Sequence, residues 1–376
     1  MKNGDALYLQ IYQSLLNEIR DGLYEDARLP TEKEITERFF VSRITARRAL
    51  DPLEDAGIVV RISGKGTFVR KGAAISSGPA ALYKTIPMIA LVMGGYGPSF
   101  GMDILNAVVR RAEEQRVHVI VKDTGNDQAA EFKALEALKQ SGVDGIIVQP
   151  AHGETYSQWL VNAIYDRYPI VMIDRYMPGI DAPFVGVDDA QLAEAAVRHL
   201  LDAGHRNIAL ITLEDEKTST LKARMDGFRR AMERAGIPIN TDLWLTSLSR
   251  GIKREDKNTP EAHAVYKRQI ARHMLRHPEI TAIFGTEYMV SKLAMNALME
   301  MGWHIPGDCS IVGFDCDGSS LGSDIVSHIA QPQARMGAEA VDMICAILRR
   351  ETLTDTHRLI EARWVQGSTL AAPRTR

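Results

Sequence analysis

Between residues 86 and 315 short apolar runs recur, separated by stretches of helical length, and that alternation limits the folds open to the chain. The runs are MIALVM (88–93), VHVIVK (117–122), DGIIVQ (144–149), PIVMID (169–174), NIALIT (207–212), TAIFG (281–285) and SIVGFD (310–315). Segments such as 102–116, 128–141, 189–203 and 287–301 lie between them and carry the helical pattern. Short buried strands alternating with helices specify parallel sheets covered on both faces. The strands are too many for one small sheet. The economical arrangement is therefore two doubly wound lobes, roughly 86–180 and 187–315, with the last stretch of chain crossing back.

The first 71 residues follow a different rhythm. Leu7, Ile11, Leu15, Leu16 and Ile19 have the spacing of an amphipathic helix, and Gly22 stops it. Thr31 and Glu34 form a capping box after Pro30, opening a short helix to about Phe40. Ser42 suits the N-cap of a third helix whose Ala46, Ala49, Leu50, Leu53 and Ala56 face inward before Gly57. Pro52 removes a backbone hydrogen bond and costs roughly 3 kcal/mol in a helix interior, so a kink or early end near Leu50 is expected. The runs IVVRI and TFVRK, around SGKG, read as a β-hairpin. From 72 to 86 the chain is small, Ser- and Gly-containing and weakly patterned, as a linker is. The expected domains are thus 1–71, a linker over 72–86, and a two-lobed body over 87–376.

Charge separates the two parts. The whole chain carries a formal net charge of −3, yet residues 38 to 71 hold eight Lys and Arg against Asp51, Glu54 and Asp55, a local net of +5. Arg43 and Arg47 are four apart, so they share the helix face opposite the apolar stripe, near the capped end. Guanidinium forks bond guanine bidentately while lysines and backbone N–H groups hold phosphates, so the residue types fit duplex DNA.

The segments RLPTEKEI, VSRITARRAL and GKGTFV, in this order and spacing, resemble the winged helix-turn-helix of GntR-family bacterial repressors over residues 6 to 70. The resemblance implies DNA contacts from Arg28 or Lys33 at the second helix, from Ser42, Arg43, Thr45 and Arg47 on the third, and from Lys65 and Gly66 at the wing tip. EDAR lacks the glycine usual before the LP element, and Pro52 is unusual at its position.

In open α/β sheets ligands bind at the carboxyl ends of strands. The first such loop, GGYGPSFG (94–101), approaches a dinucleotide fingerprint, and Asp123 ends the next strand where a ribose-binding acid would stand. An NAD(P)-binding, enzyme-like body on a DNA-binding head is the alternative this raises. Against it, the glycine spacing is one residue too long, and Pro98 and Phe100 would crowd a pyrophosphate. Tyr96 and Phe100 instead suit the mouth of a cleft, where aromatic rings stack on a sugar or a flat base.

The segments GVDDAQLAEAAVRHLLDAGHRNIALI, RMDGFRRAMERAGI, TAIFGTEYMVSKLAMNALMEMGWHIPGDCSIVGFD and IAQP resemble the effector-binding core of LacI-type repressors, which shares the fold of periplasmic sugar-binding proteins. This likeness covers about 86 to 370. A GntR-like head on a LacI-like body is the arrangement of arabinose repressors of the AraR type. It implies effector contacts from Arg224, Asp315 and Gln331, with Asp174 and Arg175 of MIDR as further candidates. The family usually has Asn-Asp where Thr286-Glu287 stand here, and a second Asp at Cys316, so Glu287 joins the candidates while the effector's identity stays open. An arginine fork and a carboxylate together orient a polyol.

No Ser-His-Asp or Cys-His order stands out, and His199, His205 and His273 are scattered at helical positions. The three cysteines are odd in number and lack metal-ligand spacing, which suits reduced thiols without disulfide or zinc. No run approaches the 18 apolar residues of a membrane span. The expectation is a cytoplasmic homodimer, not an enzyme, with no cofactor or metal. Its partners are operator DNA and a small carbohydrate-like effector that closes the lobes.

Overall fold

All seven apolar runs form strands in the computed structural model, which describes residues 3–374 apart from 21, 25–27, 56, 63–64, 71–85, 152–155, 214–217, 247, 254–255 and 317–325. Two units emerge, Met1–Thr85 and Ile86–Arg376. The linker expected over 72–86 lies outside the described residues except for Ile86, as do Ala56, Ser63, Gly64, Lys71 and the side chain of Leu7.

The first unit holds α1 (Asn3–Arg20), α2 (Glu32–Phe39), α3 (Arg43–Asp55), β1 (Val59–Ile62) and β2 (Gly66–Val69), the last two antiparallel. Its core joins Ile11, Tyr12, Leu15 and Leu16 of α1 to Ala46, Ala49, Leu50 and Leu53 of α3. The capping box at Thr31 and Glu34 is present at the start of α2, which closes on Phe40 at φ 52°. The early end expected for α3 does not occur: the helix runs through Pro52 to Asp55. Leu53, one residue beyond the proline, is fully buried beside Leu50, and this packing carries the last turn past the missing hydrogen bond.

The second unit opens with β3 (Met88–Met93), α4 (Met102–Glu114), β4 (His118–Asp123), α5 (Gln128–Gln140), β5 (Gly145–Val148), α6 (Gln158–Tyr165), β6 (Ile170–Ile173) and β7 (Phe184–Gly186). It continues with α7 (Asp189–Asp202), β8 (Ile208–Ile211), α8 (Ser219–Arg234), α9 (Pro260–Arg276), β9 (Ala282–Gly285), α10 (Tyr288–Glu300), β10 (Ser310–Phe314) and β11 (Ser327–Ala330). The C-terminal part supplies α11 (Gln333–Leu348), β12 (His357–Leu359) and β13 (Arg363–Val365). The first lobe's sheet has the order β12-β7-β6-β5-β3-β4 and is parallel throughout. The second has the order β13-β11-β10-β9-β8, parallel except for β13. The chain therefore passes between lobes three times: after β7, between β11 and α11, and between β12 and β13.

Each lobe has its own apolar cores on both sheet faces. Two glycines set helix spacing. A Cβ on Gly337 of α11 would stand 2.7 Å from the Ile104 carbonyl oxygen of α4, and one on Gly227 of α8 would stand 2.2 Å from that of Ala190 in α7. Both helix pairs meet backbone to backbone, which only glycine allows. Gly227→Ala should therefore lower the stability of the body by about 1–3 kcal/mol. Urea titration of the full chain checks this, and an unchanged midpoint and slope would show that α7 and α8 can separate freely.

Candidate functional site

Two surfaces hold the residues singled out by sequence. On the first unit, the inward stripe of α3 leaves Arg43, Ile44, Arg47 and Arg48 on the outside. Ser42 Oγ accepts from the Thr45 N–H at 3.2 Å and lies 2.9 Å from Thr45 Oγ1, capping the helix. The Arg47 fork donates from Nε and Nη2 to the two Glu32 carboxylate oxygens at 2.9 and 3.2 Å. That guanidinium holds the Glu32 carboxyl below the usual carboxylate range. Arg48 stacks over the Tyr8 ring at 4.4 Å. Arg28 bridges Phe68 of β2 through its backbone, and its guanidinium lies beside Gly66, whose φ of 116° calls for glycine. Lys65 is exposed at the hairpin tip, and Lys33 is exposed on α2, 3.8 Å from Glu37.

On the second unit the carboxyl ends of both sheets surround a cavity of about 290 Å3. Phe100, Asp174 and Arg175 line it from the first lobe, and Arg224, Glu287, Asp315 and Gln331 from the second. These are seven of the eight sequence candidates. Tyr96 is the exception. It packs against the first lobe's core and donates its hydroxyl to the Leu91 and Lys122 carbonyls at 3.2 and 3.1 Å, because loop 94–101 turns Phe100 rather than Tyr96 towards the cavity.

Asp174 and Asp315 directly follow β6 and β10 with φ of 64° and 58°, a left-handed conformation that Asp tolerates better than most residues. Both are buried, as are Arg175 and Arg224. Arg224 donates from Nε to Asp189 Oδ1 at 2.7 Å and from Nη1 to the Thr286 carbonyl at 2.6 Å, and its guanidinium lies 3.9 Å from the Phe314 ring centroid. Arg175 Nη1 donates to Asn126 Oδ1 at 2.7 Å. Gln149 Nε2 donates to Asp174 Oδ2 at 2.6 Å, and Gln331 donates to Asp315 from its backbone N–H and its Nε2 at 3.2 and 2.7 Å. Asp174 and Arg175 are thus a buried pair in the cavity wall.

Burial pushes the Asp315 carboxyl up to about 6, against the opposing pull of Arg224 and Gln331. Burial also pushes Asp189 up to about 6, against the pull of Arg224. Arg175 is lowered by burial, which Asp174 and Glu287 oppose. Behind the cavity Glu131, 2% exposed, accepts from the Ala151 N–H at 2.6 Å, and burial raises it to about 7.

Sequence reasoning missed Asn126, Gln149, Asp189 and Glu131. Asn126 and Gln149 follow β4 and β5, so the strand-end rule, applied to every strand, would have found them. Asp189 is the second acid of GVDDAQ and carries no mark of its partner Arg224, 35 residues away. The dinucleotide alternative fails locally: the Gly94, Gly97 and Gly101 N–H groups already donate to Gln149, Phe100 and Gln333. Asp123 accepts from the Gly125 N–H at the exposed edge strand. Those three glycine amides are therefore not free to cradle a pyrophosphate.

Comparison with known proteins assigns residues 7–69 to the bacterial regulatory proteins of the gntR family and residues 197–370 to the periplasmic binding protein-like domain family. An arabinose metabolism transcriptional repressor of Geobacillus stearothermophilus is 28% identical over 358 residues, 92% of each chain. The HTH-type transcriptional regulator DegA of Bacillus subtilis is 32% identical over 265 residues, 68% of this chain and 72% of DegA. Among solved structures, a transcriptional regulator CelR–cellobiose complex superposes with a TM-score of 0.64 at 18% identity, over 88% of this chain and 91% of that one. These relatives are regulators rather than enzymes.

Asp315 offers a test of the buried site. Its carboxyl keeps its proton to higher pH in the folded chain than in the unfolded one. The folded state therefore binds the extra proton between about 4 and 6, and the stability owed to this group falls as pH rises through that window. Urea unfolding of wild type and Asp315→Asn across the window should give a wild-type curve that declines relative to the variant. Parallel curves would mean that Asp315 is not desolvated.

Proposed function

Because the chain belongs to the bacterial transcription regulators that join a gntR-type head to a periplasmic binding protein-like body, we propose that it represses sugar-use genes, holding operator DNA with the head until a neutral sugar fills the body's cleft. The observation that carries the effector reading is the charge balance of the cavity wall. Asp174, Glu287 and Asp315 stand against Arg175 and Lys257, while Arg224 is matched by Asp189 behind the wall, and Phe100 and Tyr288 lie beside them. An anionic ligand would add to the carboxylates inside a partly desolvated site. A polyol accepts from the guanidiniums, donates to the carboxylates and lays an apolar face on an aromatic ring. The arabinose repressor and the cellobiose complex among its relatives favour the same class.

On the head, α3 presents Arg43 and Arg47 to a major groove, Arg28 and Lys65 flank them beside the hairpin, and Ser42, Thr45, Lys33 and Gly66 complete the contact surface. Two such heads on a homodimer would meet half-sites one helical turn or a multiple of it apart. A protein that works on DNA in a bacterium does so in the cytoplasm. The effector acts by binding one arrangement of the lobes more tightly than the other, which shifts the dimer to a geometry whose heads no longer match both half-sites.

Arg47→Ala should weaken operator binding roughly five- to 150-fold and relax preference at one base position, whereas Lys65→Ala should weaken all duplexes alike and reduce the salt slope by about one. Gel-shift titration at fixed salt separates the two, and an Arg47→Ala protein with unaltered affinity and preference would place the groove contact elsewhere.

Arg224→Ala and Asp315→Ala should leave operator affinity nearly intact and move release to far higher effector concentration, since removing a ligand's polar anchors weakens the coupling but not the DNA contacts. Losing a charged hydrogen bond costs a few kcal/mol, shifting half-release by about a hundredfold or more. The measurement is operator occupancy against concentration over a panel of neutral sugars, sugar phosphates and NAD(P), with circular dichroism to establish folding. Release by a phosphate or a dinucleotide alone would overturn the neutral-sugar reading.

A further inference from the structure

Nothing in the folding of the first unit accounts for Ile44. Its side chain is 80% exposed, and a β-branched residue in an open helical position is a poorer helix former than Ala or Arg. Helical spacing sets it opposite the buried Ala46, Ala49 and Leu50, with Arg47 and Arg48 three and four residues on and Arg43 immediately before it. Across the turn, Phe40 is 94% exposed at a backbone angle that favours glycine. These two are the most exposed large apolar side chains among the described residues of the unit, and they bracket Ser42 and Arg43.

An apolar protein surface docking here would have to desolvate the surrounding guanidiniums, whereas a polyanion complements them. Duplex DNA supplies both halves of what this face asks for. Its phosphates and guanine edges suit the arginines, and its major groove offers one kind of apolar group on the base edges, the C5 methyl of thymine. We propose that Ile44 is a specificity-determining residue whose branched side chain packs on a thymine methyl in each operator half-site. This selects thymine at that position independently of the hydrogen bonds made by Arg43 and Arg47. The inference rests on the reading of the chain as an operator-binding regulator.

The full-length protein is first used to enrich a tight-binding duplex from a pool with a randomised core. Each thymine of that duplex is then replaced singly by deoxyuridine, which removes only the methyl group. Wild type should lose about fourfold in affinity at one position per half-site, the effect of exposing one buried methyl. Ile44→Ala should bind the thymine and uracil versions of that position equally while keeping the wild-type salt slope, and Ile44→Val should retain part of the discrimination. Because Ile44 is exposed, both variants should fold, and circular dichroism verifies it. A wild type indifferent to every methyl, or an Ile44→Ala protein with undiminished discrimination, overturns the proposal and leaves the regulator reading standing. Failure to enrich any duplex overturns that reading and the proposal with it.

Discussion

One buried guanidinium organises the second lobe. Arg224 leaves α8 to meet Asp189 on α7, the Thr286 carbonyl after β9 and the Phe314 ring on β10, so four elements share one side chain. Taking such a charge out of water costs several kcal/mol unless its donors are satisfied, and here Asp189 and Thr286 satisfy two of them. The close approach of α7 and α8 at Gly227 is what brings Asp189 within reach. Packing and electrostatics are therefore one device, and the cavity wall inherits its geometry from both.

The two surfaces handle charge in opposite ways. In the cleft, Arg175, Arg224, Asp174 and Asp315 are buried and already bonded to protein, so their orientation is fixed in advance. On α3 the Arg47–Glu32 fork is exposed, where an ion pair is weak and easily exchanged for a phosphate or a guanine edge. Rigid recognition in one place and exchangeable recognition in the other follow from exposure alone.

Much of this was legible in the sequence. Runs such as DGIIVQ and SIVGFD announced their strands because parallel strands buried on both faces must be continuously apolar. The capping box at Thr31 named its helix. The strands β7, β11, β12 and β13 were not foreseen: three or four residues long, with Ser327, His328 and Arg358 among them, they owe their pairing to neighbours brought up by the tertiary fold. Pro52 misled because a local cost of roughly 3 kcal/mol is outweighed by burial of Leu53, which no local rule weighs. Six of the seven effector candidates that meet in one cavity follow strands, where a positional rule applies, and Arg224 on α8 was named only by the family resemblance. Tyr96 does not reach the cavity, since loop geometry decides which of two aromatics faces inward.

The three passages between the lobes lie next to one another. β7 is hydrogen-bonded to β12 and β11 to β13, so the connections leave and enter adjacent strands. Three parallel links side by side behave as a door hinge does: they resist shear and splay and leave one soft rotation. Gln331 sits on the link between β11 and α11 and donates to Asp315 from both its N–H and its side chain. A single soft rotation leaves one variable, the angle between the lobes, through which the state of the cavity between them can be expressed.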